Sequence, residues 1–106
     1  MSKFDLKGRR ALVTGGARGI GAGIAEALAG AGASVMIGDV LADLGRETAA
    51  RLSSSGAKAN FVELDVTKDG DWAAATATTV QELGGLDILV NNAGIEITSL
   101  VVDIDG

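Results

Sequence analysis

Apolar positions along most of the chain switch between two spacings, and the switching predicts alternating strands and helices. The run Arg10-Ala-Leu-Val-Thr14 is short, apolar and closed by glycines, as expected of a strand buried on both faces. From Gly19 onward Ile20, Ile24, Leu28 and Ala31 recur at helical spacing, with Glu26 off that face and Gly30 and Gly32 as stops. Ser34-Val-Met-Ile-Gly38 reads as a second strand ending at Asp39. After it Leu41, Leu44, Thr48 and Leu52 mark a second helix, closed by Ser53-Ser-Ser-Gly56.

Lys58 to Leu64 reads as a third strand ending at Asp65, and Thr67 is placed to cap a third helix from about Lys68 to Leu83. Trp72, Thr76, Val80 and Leu83 share a face of that helix. Gly84-Gly85 breaks it, and Leu86-Asp-Ile-Leu-Val90 is a fourth strand running into Asn91-Asn-Ala-Gly94. The segment Ile95 to Gly106 is expected to be loop. The order βαβαβαβ with short connections predicts an α/β fold: right-handed crossovers, four parallel strands and three helices in one small domain.

Composition narrows the chemistry. Of the 106 residues 47% are apolar but only 3% aromatic, so the core must be aliphatic. With no cysteine and no histidine, disulfides, thiolate or imidazole zinc sites and a Ser-His-Asp triad are excluded by inventory. A net charge of −5, with nine basic residues spread along the chain, gives no footprint for nucleic acid or anionic lipid. The mixed, charged start from Met1 to Arg10 does not read as a signal peptide, and no apolar run approaches the ~20 residues needed to span a bilayer. The expectation is a soluble, cytoplasmic protein without membrane or nucleic-acid partners.

Thr14-Gly-Gly-Ala-Arg-Gly-Ile-Gly21 falls between the first strand and the first helix, where a phosphate-binding turn belongs. Glycines at 15, 19 and 21 remove side chains where the backbone turns sharply, where a pyrophosphate approaches, and where helix and strand pack. Helix-start amides and the positive end of the helix dipole then face the ligand, and Arg18 can add a charge-assisted bond. A purely structural glycine turn is the plain alternative, but a P-loop is not, since no Gly-Lys-Ser/Thr occurs.

Asp39, eighteen positions after Gly21, is close to the spacing at which an acid reaches the adenosine ribose. A carboxylate there accepts from both ribose hydroxyls and repels a 2′-phosphate, which favours NAD over NADP; Arg18 pulls the other way. The alternative role for Asp39 is a helix cap. Asp65 and Val66 can border the adenine, by carboxylate and backbone respectively, or simply turn the chain. Asn91-Asn-Ala-Gly94 ends the fourth strand on the same carboxyl edge, where Asn side chains can tie strands or touch a cofactor. Trp72 reads as packing rather than as a stacking platform.

Together, Thr14-Gly-x-x-x-Gly-x-Gly21, Asp39, Asp65-Val66 and Asn91-Asn-Ala-Gly94 resemble the short-chain dehydrogenase/reductase family over positions 7 to 95. The resemblance implies the first half of a Rossmann-type doubly wound parallel sheet, order 3-2-1-4, with residues 1–106 an NAD-binding half-domain. It implies that Gly15, Arg18, Gly19, Ile20 and Gly21 hold the pyrophosphate and neighbouring ribose. Asp39 would hold the adenosine ribose and Asp65 and Val66 the adenine. Asn91, Ala93 and Gly94 would line the floor, with Asn91 also stabilising the sheet and Thr14 structural.

Family members use a tyrosine as acid/base, a lysine four residues on, a serine and an asparagine; this sequence has no tyrosine. The expected parent is therefore a homo-oligomeric, NAD-dependent oxidoreductase acting on a small alcohol or carbonyl, and residues 1–106 alone are expected to be inactive. The competing readings are a stand-alone dinucleotide-binding module and, more remotely, a methyltransferase-like nucleotide fold. A half-sheet would also be marginal in burial and would leave the fourth strand as an unpaired edge.

Overall fold

A computed structural model of the chain describes residues 5–92 and 99–102. Its elements are β1 (Arg10–Thr14), α1 (Gly19–Gly30), β2 (Ser34–Asp39), α2 (Ala42–Ser54), β3 (Ala59–Glu63), α3 (Asp69–Leu83), β4 (Ile88–Asn91) and β5 (Ser99–Val102). The sheet order is β3-β2-β1-β4-β5. The first four strands run parallel, with Leu12 opposite both Met36 and Leu89. The expected 3-2-1-4 arrangement is present.

Strand residues alternate faces, and the two faces are covered differently. Ala11, Val13, Val35, Ile37, Ile88 and Val90 pack with Ala25 of α1 and Ala49 and Leu52 of α2. Leu12 and Met36 pack on the other face with Leu83 of α3, joined by the half-buried Val62, Leu86 and Leu89. That division follows from right-handed crossovers: two step from β1 outward to β3, and the third returns across the sheet to β4. Continuous apolar runs are needed because β1 and β2 are buried from both sides.

Several expectations need correction. The segment after Ile95 is not all loop, because Ser99–Val102 pairs antiparallel with β4, Val90 opposite Leu100. The fourth strand is therefore not an unpaired edge: an available row of backbone donors and acceptors pairs with a short run that ends in two valines. Two helix faces are also displaced from those the spacing suggests. In α1 Ile24 and Leu28 of the expected face pack half-buried against the core, but Ile20 stands 67% exposed and the buried residues are Gly21, Ala22 and Ala25. In α3 they are Ala75, Thr79 and Leu83, not Thr76 and Val80.

Small residues win in both cases because they let the helix lie close to the sheet. Thr79 is tolerated at zero exposure since its hydroxyl donates to the Ala75 carbonyl one turn back, at 2.7 Å. No helix among the described residues is long and apolar enough to cross a membrane.

Candidate functional site

β1 lies between β2 and β4, and the chain leaves it toward opposite faces on its two sides. A crevice at the carboxyl ends of such strands is the usual ligand position in open α/β sheets. Three of the sequence-selected segments meet there. The loop after β1 bonds to the end of β2, Gly15 N–H donating to the Gly38 carbonyl at 2.7 Å, and the end of β2 in turn accepts Leu64 N–H at 3.1 Å.

Within the loop, Gly19 and Gly21 are required for opposite reasons. Gly19 has a left-handed φ of +61°, and a Cβ built on it would meet nothing within 4 Å. The space over it is open, so a side chain is excluded by backbone conformation and an external group has room to approach the helix start. Gly21 is buried, and a Cβ there would run into the Gly15 carbonyl oxygen, with the Asn92 amide nitrogen 2.6 Å away. Its lack of a side chain lets α1 begin directly beneath the loop.

The start of α1 is electrostatically distinct from the other two helix starts. α2 carries Asp43 and α3 carries Asp69 and Asp71 in the first turn, each offsetting its own helix dipole, whereas α1 has no acid there. Its N-cap is Arg18, extended and exposed, with no side-chain cap bond. The uncompensated positive end, the open space over Gly19 and the nearby guanidinium together suit a phosphate group. Ile20, next along the chain, is likewise exposed and contributes nothing to the core.

Asp39 is 8% exposed, and both carboxylate oxygens are engaged. Oδ2 accepts Ala17 N–H at 3.0 Å and Oδ1 accepts Leu41 N–H at 3.0 Å. Leu41 is the N-cap of α2, so Asp39 turns the chain into that helix without bonding the amides of its first turn. One carboxylate thus joins the glycine loop, the end of β2 and the start of α2. Each oxygen retains acceptor capacity beyond the one amide it holds.

At the end of β3, Asp65 Oδ1 accepts from Thr67 N–H at 3.0 Å and from Thr67 Oγ1 at 2.6 Å. These bonds, the hydroxyl's first, hold the Asp65 carboxyl below its ordinary range. Thr67 does not cap α3, whose N-cap is Lys68; its hydroxyl is committed to Asp65 instead. Trp72 Nε1 donates to the Val66 carbonyl at 2.9 Å, and Asp71 Oδ2 accepts Asp65 N–H at 2.9 Å. Trp72 is therefore more than packing: it staples this turn to α3.

At the end of β4, Thr14 Oγ1 donates toward Asn91 Oδ1 (3.1 Å) and the Val90 carbonyl (3.3 Å), and accepts Asn92 N–H at 2.9 Å. Asn91 ties strands, as does the fully buried Thr14. Ala93 and Gly94 lie outside the described residues.

Two features were not singled out by sequence reasoning. Thr48 Oγ1 donates to the Ala17 carbonyl at 2.6 Å, its only advertisement being a hydroxyl on an otherwise apolar stripe. At the far end of the sheet, Arg10 grips Asp87 through Nε (2.7 Å) and Nη2 (3.1 Å), and reaches the Gly84 carbonyl with Nη1 (3.1 Å). The signal was present as opposite charges at the entries of two strands that become neighbours.

Residues 9–105 match the family described as short chain dehydrogenase. The chain is 49% identical over 90 residues to the 3-alpha-(or 20-beta)-hydroxysteroid dehydrogenase of Mycobacterium tuberculosis, covering 85% of this chain and 34% of that protein. Among solved structures, a hydroxysteroid dehydrogenase from Escherichia coli superposes with a TM-score of 0.83 at 37% identity, over 86% of this chain and 39% of that one. A short chain dehydrogenase from Burkholderia cenocepacia in complex with NADP superposes with a TM-score of 0.81 at 44% identity, over 85% and 37%. The chain thus spans about a third of the length of the relatives it matches.

Proposed function

The chain belongs to the short-chain dehydrogenase family, and we propose that it forms the NAD-binding half of an oxidoreductase that moves a hydride between the nicotinamide and an alcohol or carbonyl carbon. One observation carries the reading. A carboxylate at the end of β2 is bonded to the glycine loop itself, which supports assigning the ribose and the phosphates to two elements tied directly to each other. In this reading the loop and the start of α1 hold the pyrophosphate, with Gly15 turning the loop, Gly19 clearing the ligand's path, Gly21 letting α1 start directly beneath, and Arg18 and Ile20 beside it.

Asp39 accepts from the adenosine ribose hydroxyls with its remaining lone pairs. Asp65 and the Val66 backbone edge the adenine. Asn91, Ala93 and Gly94 line the floor, and bound NAD supplies the hydride acceptor. The acid/base tyrosine that the family uses is not among these 106 residues, so we assign proton transfer to other residues of the parent and expect no turnover from residues 1–106. Cytoplasmic residence and homo-oligomerisation of the parent belong to the same proposal.

The preference for NAD over NADP is read from Asp39, whose carboxylate is held in place by two backbone amides and so cannot swing away from a 2′-phosphate. The relative solved with NADP makes this the point to test. Calorimetric titration of the chain should show NAD binding more tightly than NADP, and S-adenosylmethionine not at all. Asp39→Asn, which keeps an acceptor but removes the charge, should cut the NAD:NADP affinity ratio about tenfold, an energy of roughly 1.4 kcal/mol. An unchanged ratio would sink the ribose assignment.

The β4–β5 pairing favours a second reading, in which residues 1–106 bind the dinucleotide as a self-contained unit without reacting it. Alcohol oxidation by this polypeptide with NAD at an enzyme-like rate would refute both readings of it as inactive.

A further inference from the structure

Ala17 sits in the middle of the glycine loop, is 2% exposed, and has both of its backbone polar groups held by side chains from outside the loop. Its N–H goes to Asp39 and its carbonyl goes to Thr48 Oγ1, in the second turn of α2. Thr48 is itself only 4% exposed, and its hydroxyl bond is short, at 2.6 Å. A buried hydroxyl that could have been a methyl group costs desolvation, so its bond must contribute something that packing does not.

The contribution follows from peptide geometry. A planar trans peptide directs its C=O and the next residue's N–H to opposite sides, and there is no cis peptide among the described residues. With the Ala17 carbonyl drawn toward α2, the Arg18 N–H is turned the other way, away from α2, in a stretch where Arg18 and Gly19 are both exposed. Flipping this peptide would reverse the loop's polarity, pointing a carbonyl lone pair at an anionic ligand in place of a donor.

We propose that Thr48 is a positioning residue for dinucleotide binding: it holds the Ala17–Arg18 peptide so that the glycine loop offers a donor, and no carbonyl, to the pyrophosphate. The proposal rests on the cofactor reading above. It adds a residue from the second helix, which touches no part of the ligand, to the determinants of affinity.

The test compares ligands with and without the pyrophosphate on the 106-residue chain, by calorimetry with NAD, ADP and adenosine. Thr48→Val keeps the shape and removes the hydroxyl; it should weaken NAD and ADP by about tenfold and adenosine by less than about twofold. Thr48→Ser should restore NAD binding to within about twofold of the original. Thr48→Ala serves as a second hydroxyl-free variant should valine prevent folding, with the same pattern expected. In the unliganded protein, amide hydrogen exchange across residues 16–19 should quicken in the hydroxyl-free variants and return to the original rate in Thr48→Ser.

Unaltered NAD affinity in Thr48→Val, or equal losses for NAD and adenosine, would overturn the positioning role and leave the cofactor reading standing. Failure of the unsubstituted chain to bind either NAD or ADP would overturn the cofactor reading and the positioning role together.

Discussion

The same two strands, β1 and β4, are tied at both ends, and the ties are of opposite kinds. At the amino end Arg10 and Asp87 form a charged fork, with their side chains 33% and 18% exposed, and the Asp87 oxygen also accepts Arg10 N–H at 2.9 Å. At the carboxyl end the tie is the neutral, fully buried hydroxyl of Thr14, bonded to Asn91 and to Asn92 N–H. The difference separates fastening from binding. An ion pair beside the glycine loop would compete with a ligand's phosphate for the guanidinium and would place a carboxylate in its path. A hydroxyl fastens the strands without adding a charge, so the amides of the loop, Arg18 and Asp39 set the local field.

The comparison is broken most severely at the buried end. Thr14→Val keeps the shape of the side chain but removes a donor and an acceptor, leaving Asn92 N–H and Asn91 Oδ1 without this partner. We expect a loss of about 1–3 kcal/mol in urea denaturation, together with weaker NAD binding because the floor of the crevice loosens. A valine variant as stable as the original would mean that the strands need no tie at the site.

At the amino end the expected effect depends on pH. The side-chain bond from Arg10, chiefly, holds the Asp87 carboxyl below its usual range, and the same bond raises Arg10. A carboxyl whose folded value is depressed adds stability that is fully present above its unfolded value, about 4, and is lost as pH falls through the folded value. Denaturation midpoints should therefore fall from about pH 4 downward in the original protein. In Asp87→Asn they should start lower at neutral pH and fall less over that acid interval. Asp65, held down by Thr67, contributes with the same sign and persists in the variant, so the slope should shrink rather than vanish. An identical acid limb in both proteins would detach Asp87 from stability.

How much of this was legible in the sequence follows from the range of each signal. Strand positions and the 3-2-1-4 order were readable, because apolar runs, glycine stops and crossover handedness are local or generic. The buried helix faces were legible only in part: Thr48, Leu52 and Leu83 are buried as the spacing suggests, and Ile24 and Leu28 pack half-buried on the core. Ile20 and Val80 are large and apolar at helical spacing, yet Gly21, Ala25 and Ala75 face the sheet, because proximity of helix to sheet outweighs side-chain hydrophobicity. The glycine loop and Asp39 were readable as types, but not the bond between Asp39 and Ala17, and still less Thr48, since twenty-two and thirty-one residues separate the partners. Arg10 and Asp87 are seventy-seven apart and become neighbours only when β4 docks beside β1. The pairing of Ser99–Val102 is not legible in the sequence, because the three-residue apolar run Leu100-Val-Val carries too little periodicity to distinguish strand from loop.

The smallest expected effect sharpens what the amino-end fork means. Arg51 and Glu26 join α2 to α1 with an Nη1–Oε2 distance of 2.6 Å, as short as the contact in the Arg10–Asp87 pair. Distance alone would rank the two equally. Their surroundings differ, since the Arg51 and Glu26 side chains are 56% and 62% exposed. Arg10 by contrast shares its guanidinium between a carboxylate and the carbonyl of Gly84, the C-cap of α3. Water and salt screen the first pair, and holding two long side chains in one geometry costs entropy that offsets what remains. Arg51→Ala should thus change stability by no more than about 0.5 kcal/mol, and added salt should shrink that difference further. If Arg51→Ala instead costs as much as Asp87→Asn at neutral pH, contact distance governs these pairs, and the contrast between a fastened end and a binding end would have to rest on Thr14 alone.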